Sequence, residues 1–161
     1  MEQEYDCGFT RENHWFRYRA AAIIIENGCV LFAKNDMNDY YYTVGGGVHI
    51  GESSEEAVKR EVFEETGINY EVDRLAFINE AFFEDQGTLC HALEFYYLMK
   101  PRGTQELHSD SYSQGVKENM HWLPIEKLSE YKAFPEFFRN KLFNIPENIQ
   151  HIISDEIINK K

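Results

Sequence analysis

Apolar and polar positions follow two rhythms along this chain. Ile23, Ile24 and Ile25 run into Glu26-Asn27-Gly28, and Val30, Leu31 and Phe32 follow. Asn-Gly between β-branched runs predicts two strands and a hairpin over 19–33, because both turn residues tolerate positive φ. A further strand is predicted over 40–44. It ends in Gly45-Gly46-Gly47, which cannot be an ordinary strand interior. Over 53–66 the pattern becomes helical. Ser53 with Glu56 fits a capping box, and Gly67 sits where a left-handed C-terminal cap belongs. Two long strands are predicted over 71–83 and 90–99, joined by a polar turn at 84–88. Residues 100–117 read as loop, 119–123 as a short strand, and 124–128 as a helical turn. In the tail, Phe134, Phe137, Phe138 and Leu142 follow helical spacing. So do Ile149, Ile152, Ile153 and Ile157, after Pro146 near a first helical position. These stripes predict two helices within about 134–160, packing into the core or across a homodimer. Strands with a few helices predict a mixed α/β or α+β layered domain.

The length of 161 residues suits one domain over 1–161, and a hydrophobic share of 43% with 15% aromatics suffices for a core. No stretch approaches the roughly 18 apolar residues of a membrane span. Residues 1–19 lack the basic start and apolar run of a signal peptide. The cysteines Cys7, Cys29 and Cys90 are odd in number and form no Cys-x-x-Cys pair, which predicts reduced thiols and a cytoplasmic location. The formal net charge of -12 changes the picture more. It disfavours nucleic-acid backbones and anionic lipid. Arg11, Arg17 and Arg19 come closest to a basic cluster, and Glu12 interrupts them. The expected partners therefore include neither nucleic acid nor membrane. Phosphates remain accessible where divalent cations bridge the charges.

The chemistry concentrates in 46–68. Gly46 is followed after five residues by Glu52, and after seven more by Arg60-Glu61-Val62-Phe63-Glu64-Glu65-Thr66-Gly67-Ile68. On a helix Glu61, Glu64 and Glu65 fall within about 100° of arc, so three like charges share one face. Uncompensated, they destabilise the helix, and a hard divalent cation reverses the sign of the effect. Gly45-Gly46-Gly47 lets backbone approach a metal or phosphate without a β-carbon in the way. Glu52 lies near the positive end of the helix, and Arg60 is suited to hold a carboxylate in a two-pronged bond. A bare Glu-x-x-Glu-Glu is usually a solvated helix face. Seven fixed residues and two apolar positions at set spacing arise by chance on the order of once per billion start positions.

This stretch resembles the Nudix box of the MutT-type hydrolases, and every position of the signature is matched. The resemblance implies a three-layer α/β/α sandwich with a mixed sheet, and Mg²⁺ or Mn²⁺ as cofactor. It implies hydrolysis of a small-molecule nucleoside diphosphate linked to another moiety. Nucleotide sugars, ADP-ribose, dinucleoside polyphosphates and oxidised nucleoside triphosphates all qualify. By position, Glu61, Glu64 and Glu65 become metal ligands, with the Gly45 carbonyl as a further ligand, and Arg60 and Glu52 take orienting roles. The base is either a box carboxylate or an acid outside it, with Glu118, Glu84, Asp85 and Asp110 as candidates. Val44 stands where many members have Pro, and His49 where many have an acid. His49, His91, His108 and His121 show no metal-binding spacing. Tyr40, Tyr41, Tyr42, Phe82 and Phe83 either fill the core or stack a base or sugar. The rival readings are a non-catalytic ligand sensor, an enzyme acting on a non-nucleotide diphosphate, and a nucleic-acid enzyme such as a decapping hydrolase, against which the strong acidity argues.

Overall fold

The computed structural model describes residues 4–108, 112–113 and 115–157. It begins with β1 (Gly8–Arg11), β2 (His14–Ile23), β3 (Ile25–Glu26) and β4 (Cys29–Asn35). Asn27 and Gly28 take φ of 53° and 73°, and Ile25 lies opposite Val30, so the hairpin forms at β3 and β4. Next come β5 (Tyr41–Thr43), β6 (Gly45–Gly47), α1 (Ser54–Thr66), β7 (Val72–Asp85) and β8 (Thr88–Met99). The chain continues through β9 (Tyr112–Ser113), β10 (Val116–Pro124), a 3-10 turn (Ile125–Glu130), β11 (Ala133–Phe134), α2 (Phe138–Lys141) and β12 (Gln150–Asp155).

The strands form two mixed sheets. One runs β1-β2-β8-β7-β12 with β6 also on β2, and the other runs β11-β5-β4-β10-β9 with β3 on β4. The pairs β2–β8, β7–β12 and β5–β11 are parallel. Period-2 alternation along β2 sends its side chains two ways. Ala20, Ala22 and Ile24 pack with Ala57, Val58 and Val62 of α1. Ala21 and Ile23 pack with Leu128 of the 3-10 turn and with Phe138 and Leu142 around α2. Helices therefore cover opposite faces, giving the expected layered α+β fold with one thin helical layer. The fully buried Ala20 and Ala22 let α1 pack close to β2.

Two expectations fail here. The glycine run is a strand after all, with Gly45, Gly46 and Gly47 opposite Ala21, Ala20 and Arg19. It carries no side chains because both of its faces are crowded, as described below. The second tail helix is absent: the isoleucine stripe forms β12, parallel to β7, with Ile152 packed inward and Ile153 exposed. A spacing of three and four also contains alternate positions. β-branched residues beside an open strand edge gain a ladder that a short isolated helix cannot match. The first tail helix shrinks to Phe138–Lys141. Phe137, Phe138, Leu142 and Ile152 all enter the chain's own core, which removes much of the apolar surface that suggested a homodimer.

Glu26 also departs from a surface role. It is 2% exposed and accepts hydrogen bonds from the Tyr70 hydroxyl at 2.9 Å, the Arg102 N–H at 2.9 Å and the Gly103 N–H at 2.9 Å. The backbone after Met99 is thereby pinned to the β3–β4 hairpin. Gln105 continues the attachment, bonding the Glu26 carbonyl at 3.2 Å while its own carbonyl accepts from the Trp122 indole at 3.0 Å. Glu26→Ala leaves three donors without their acceptor, and should destabilise the fold by about 3 kcal/mol or more in urea unfolding. A loss under about 1 kcal/mol would show that the clamp is dispensable.

Candidate active site

Helix α1 carries the site, and its own sequence fixes both ends. The Ser53 side chain accepts from the Glu56 N–H, the Glu56 side chain accepts from the Ser53 N–H, and Gly67 closes the helix at φ 74°. Ala57, Val58 and Val62 are fully buried against the sheet while Phe63 stays 49% exposed. This orientation turns Glu61 and Glu65 toward β6. Glu65 is 5% exposed and accepts the Gly45 N–H at 2.8 Å. The Glu61 carboxylate lies so close over Gly46 that a β-carbon there would overlap it. That contact explains the glycine.

Arg60 organises the mouth of the site. Its Nε donates to Glu52 Oε2 at 2.8 Å and its Nη2 to Glu52 Oε1 at 3.0 Å, forming a two-pronged pair. Nη1 donates to Glu61 Oε1 at 2.8 Å, and Nη2 also reaches the Gly47 carbonyl at 3.1 Å. Glu64 is reached at 3.4 Å and keeps a side chain 55% exposed. The guanidinium holds the Glu52 carboxyl below the ordinary carboxylate range, and the His49 N–H adds to this at 3.1 Å.

Glu118, at the start of β10, comes to the same place from the other sheet. It is 6% exposed and accepts the Tyr42 hydroxyl at 2.5 Å. Burial first, then the negative charges of Glu118 and Glu61, push the Glu65 carboxyl well above its usual range. Glu61 is raised as well, mainly by burial and against the pull of Arg60. Burial and the Glu118 carboxylate likewise raise the Tyr42 hydroxyl. The site thus gathers negative charge in a place that water does not screen.

Arg19 was not among the residues read from the box. It is 6% exposed and donates to Thr43 Oγ1 at 2.9 Å and to the Thr43 carbonyl at 2.7 Å. Its charge partly offsets the upward shifts of Glu61 and Glu65. A signal existed in the alternation of Trp15, Arg17, Arg19, Ala21 and Ile23, which places Arg19 on the inward face of β2. A polar row continues from it across the sheet. Glu94 lies opposite Arg19 and Asn79 opposite Glu94, with Asn79 Nδ2 donating to Glu94 Oε1 at 3.0 Å. Arg17 stacks over Trp15 at 4.9 Å, and its Nη2 lies 3.7 Å from Glu94 Oε2. Across from this row, Tyr40 contacts Tyr42 and Phe134 with ring centroids at 6.2 and 5.7 Å.

Other candidates fall elsewhere. Glu84 and Asp85 are exposed at the end of β7, and Asp110 lies outside the described residues. His91 packs against Phe16 and Phe82, with centroids at 5.4 and 4.5 Å, and His121 packs against Tyr41 at 5.2 Å. For Gly45 the contact observed is its N–H to Glu65. Among the described residues no three His, Cys, Asp or Glu side chains stand together as a ready-made metal centre. None of their helices is long and apolar enough to cross a membrane.

Comparison with known proteins agrees with this geometry. The NUDIX domain family model matches residues 15–142. A MutT-like protein of Streptomyces ambofaciens is 31% identical over 114 residues, covering 71% of this chain and 67% of that protein. A segment of 50 residues is 46% identical to the NAD-capped RNA hydrolase NudC of Actinobacillus succinogenes, covering 31% of this chain but only 19% of that protein. The crystal structure of the MutT protein from Methanosarcina mazei Go1 superposes with a TM-score of 0.61 at 23% identity, covering 78% of this chain and 88% of that one. The chain belongs to the Nudix family. Within that family it is a pyrophosphohydrolase.

Proposed function

We propose that this chain uses a divalent cation, Mg²⁺ or Mn²⁺, to hydrolyse a phosphoanhydride bond in a small nucleoside diphosphate linked to another moiety. The observation that carries this reading is the buried Glu65 carboxylate, hemmed in by Glu61 and Glu118 beside a loop ordered by Arg60. The donor set suits such a cation. Its atoms are hard carboxylate oxygens, and its net charge is negative. Glu61, Glu64 and Glu65 would hold the cation, with the Gly45 carbonyl as a further donor. Metal bound there supplies neutralisation of phosphate charge and acidification of water.

The chain's own residues do the rest. Water adds to one phosphorus of the bridge, the bridging P–O bond breaks, and the departing phosphate carries away the electron pair. The water proton passes to a carboxylate. Glu65 and Glu118, which stands beside it under the Tyr42 hydroxyl, are the buried carboxylates suited to that task. Arg60 fixes Glu52 and Glu61 before substrate arrives. Arg17 stacked over Trp15 offers a flat, positively charged surface suited to the nucleoside end of the substrate. The three free thiols suit a reducing compartment such as the cytoplasm.

The test is product release from a panel of nucleotide sugars, ADP-ribose, dinucleoside polyphosphates and nucleoside triphosphates, with Mg²⁺, Mn²⁺ and EDTA arms. Cleavage of one class that EDTA abolishes is the expected result. Cleavage at full rate in EDTA would reject the metal, and silence across the panel would reject the nucleotide.

A further inference from the structure

The family match begins at residue 15, but the residues ahead of β1 bind directly to the loop that carries Glu52. The Cys7 N–H donates to the Val48 carbonyl at 2.7 Å, the Ile50 N–H to the Tyr5 carbonyl at 2.7 Å, and the Tyr18 N–H to the Cys7 carbonyl at 2.9 Å. Asp6 forms an antiparallel bridge with His49. The Asp6 carboxyl also lies over Gly47, where a β-carbon would come within 2.8 Å of it. Gly47 is the residue whose carbonyl receives Arg60.

His49 is the centre of this contact. Its Nδ1 lies 3.4 Å from Glu4 Oε2 and 4.0 Å from Glu52 Oε1, and its Nε2 lies 3.5 Å from Asp6 Oδ1. Its N–H bonds Glu52 Oε1 at 3.1 Å. Beyond it, Ile50 is 70% exposed, and an open cleft of 620 Å³ borders His49, Gly51 and Glu52. Val48 anchors the start of the loop in the core, and the strap of residues 4–7 supports the part that follows it.

We infer that Glu4, Asp6 and His49 are positioning residues for the Glu52–Arg60 pair, and that the strap's two carboxylates are the reason a histidine stands at 49. An acid there faces Glu4 and Asp6 on one side and Glu52 on the other. The repulsion turns Glu52 away from Arg60, and Arg60 loses the frame in which it holds Glu61. Exposed pairs such as these contribute little to stability, so the effect falls on orientation.

The experiment compares the wild-type chain with H49D, H49Q and the triple variant E4Q/D6N/H49D. It rests on the proposed hydrolase activity in one arm only. In that arm, H49D should lower kcat about 10-fold with KM within about 2-fold, and neutralising the strap in the triple variant should restore kcat to within about 3-fold. H49Q, which adds no charge, should lose less than H49D. The second arm needs neither metal nor substrate: Arg60 Nε–H exchange, followed by NMR, should quicken about 10-fold in H49D and recover in the triple variant. Melting temperatures should agree within about 2 °C, which separates positioning from unfolding. Unchanged Arg60 exchange in H49D overturns the inference, as does a folded triple variant that recovers neither exchange nor turnover. If the wild-type chain cleaves nothing in the panel, the exchange arm still decides.

Discussion

Glu65→Gln should cut turnover by at least about 100-fold while making the metal-free protein harder to unfold. The activity loss follows if Glu65 both holds the cation and receives the proton, since an amide does neither well. The gain in stability has a separate cause. Folding buries this carboxylate between Glu118 and Glu61 and raises its pKa above the unfolded value. A carboxyl raised on folding stabilises the native state below the ordinary carboxylate range, and that contribution disappears as pH rises through the folded value. At neutral pH an ionisable carboxyl in this place therefore costs the native state stability that a neutral group would not. Glutamine keeps an oxygen for the Gly45 N–H and removes the charge. Each pKa unit corresponds to about 1.4 kcal/mol. At roughly 2–4 °C per kcal/mol for a chain of this size, calorimetry in EDTA at pH 7 should show a rise of several degrees. The difference should shrink toward about pH 4, where both proteins are neutral at this position. A variant that melts lower at pH 7, or that turns over normally, defeats the assignment.

Arg60→Lys should be nearly as damaging to turnover, although it keeps the charge. Arg60 donates to Glu52 through two nitrogens, to Glu61, to Glu64 and to the Gly47 carbonyl. These acceptors surround a planar fork, and an ammonium cannot satisfy them from one point. We expect kcat to fall about 30- to 100-fold with little change in KM, because the lost function is orientation. Arg60→Ala goes further by leaving the half-buried Glu52 and Glu61 without their cation, with side chains 17% and 16% exposed. Its destabilisation should approach about 3 kcal/mol in urea unfolding, the lower end for a broken buried pair. Wild-type kcat in the lysine variant would remove Arg60 from the machinery.

What the sequence announced was whatever is local in chain distance. Ser53, Glu56 and Gly67 define α1 through contacts spanning a few residues, and Asn27-Gly28 defines its hairpin in the same way. Glu52 and Arg60 are eight residues apart, close enough for spacing alone to suggest their pairing. Glu118 was one of four candidate acids outside the box, but its contact with Tyr42 spans 76 residues, and no local pattern encodes it. Arg19 was legible in principle, since alternation along β2 turns it inward, yet its partner Thr43 belongs to the other sheet. The isoleucine stripe failed for a related reason. Helix and strand both accommodate Ile149, Ile152 and Ile153, and the open edge of β7, remote in sequence, decided between them. The failed reading of Gly45-Gly46-Gly47 belongs here too, because only the positions of Ala20 and Glu61 reveal why a side-chain-free strand fits.

Glu65 rides on a helix anchored to one sheet, whereas Glu118 belongs to a strand of the other. The Arg19 guanidinium spans that divide, rooted in β2 and gripping Thr43 of β5 by two hydrogen bonds. It therefore acts as a tie between the two sheets that bear these carboxylates, and its planar fork holds the tie at two points.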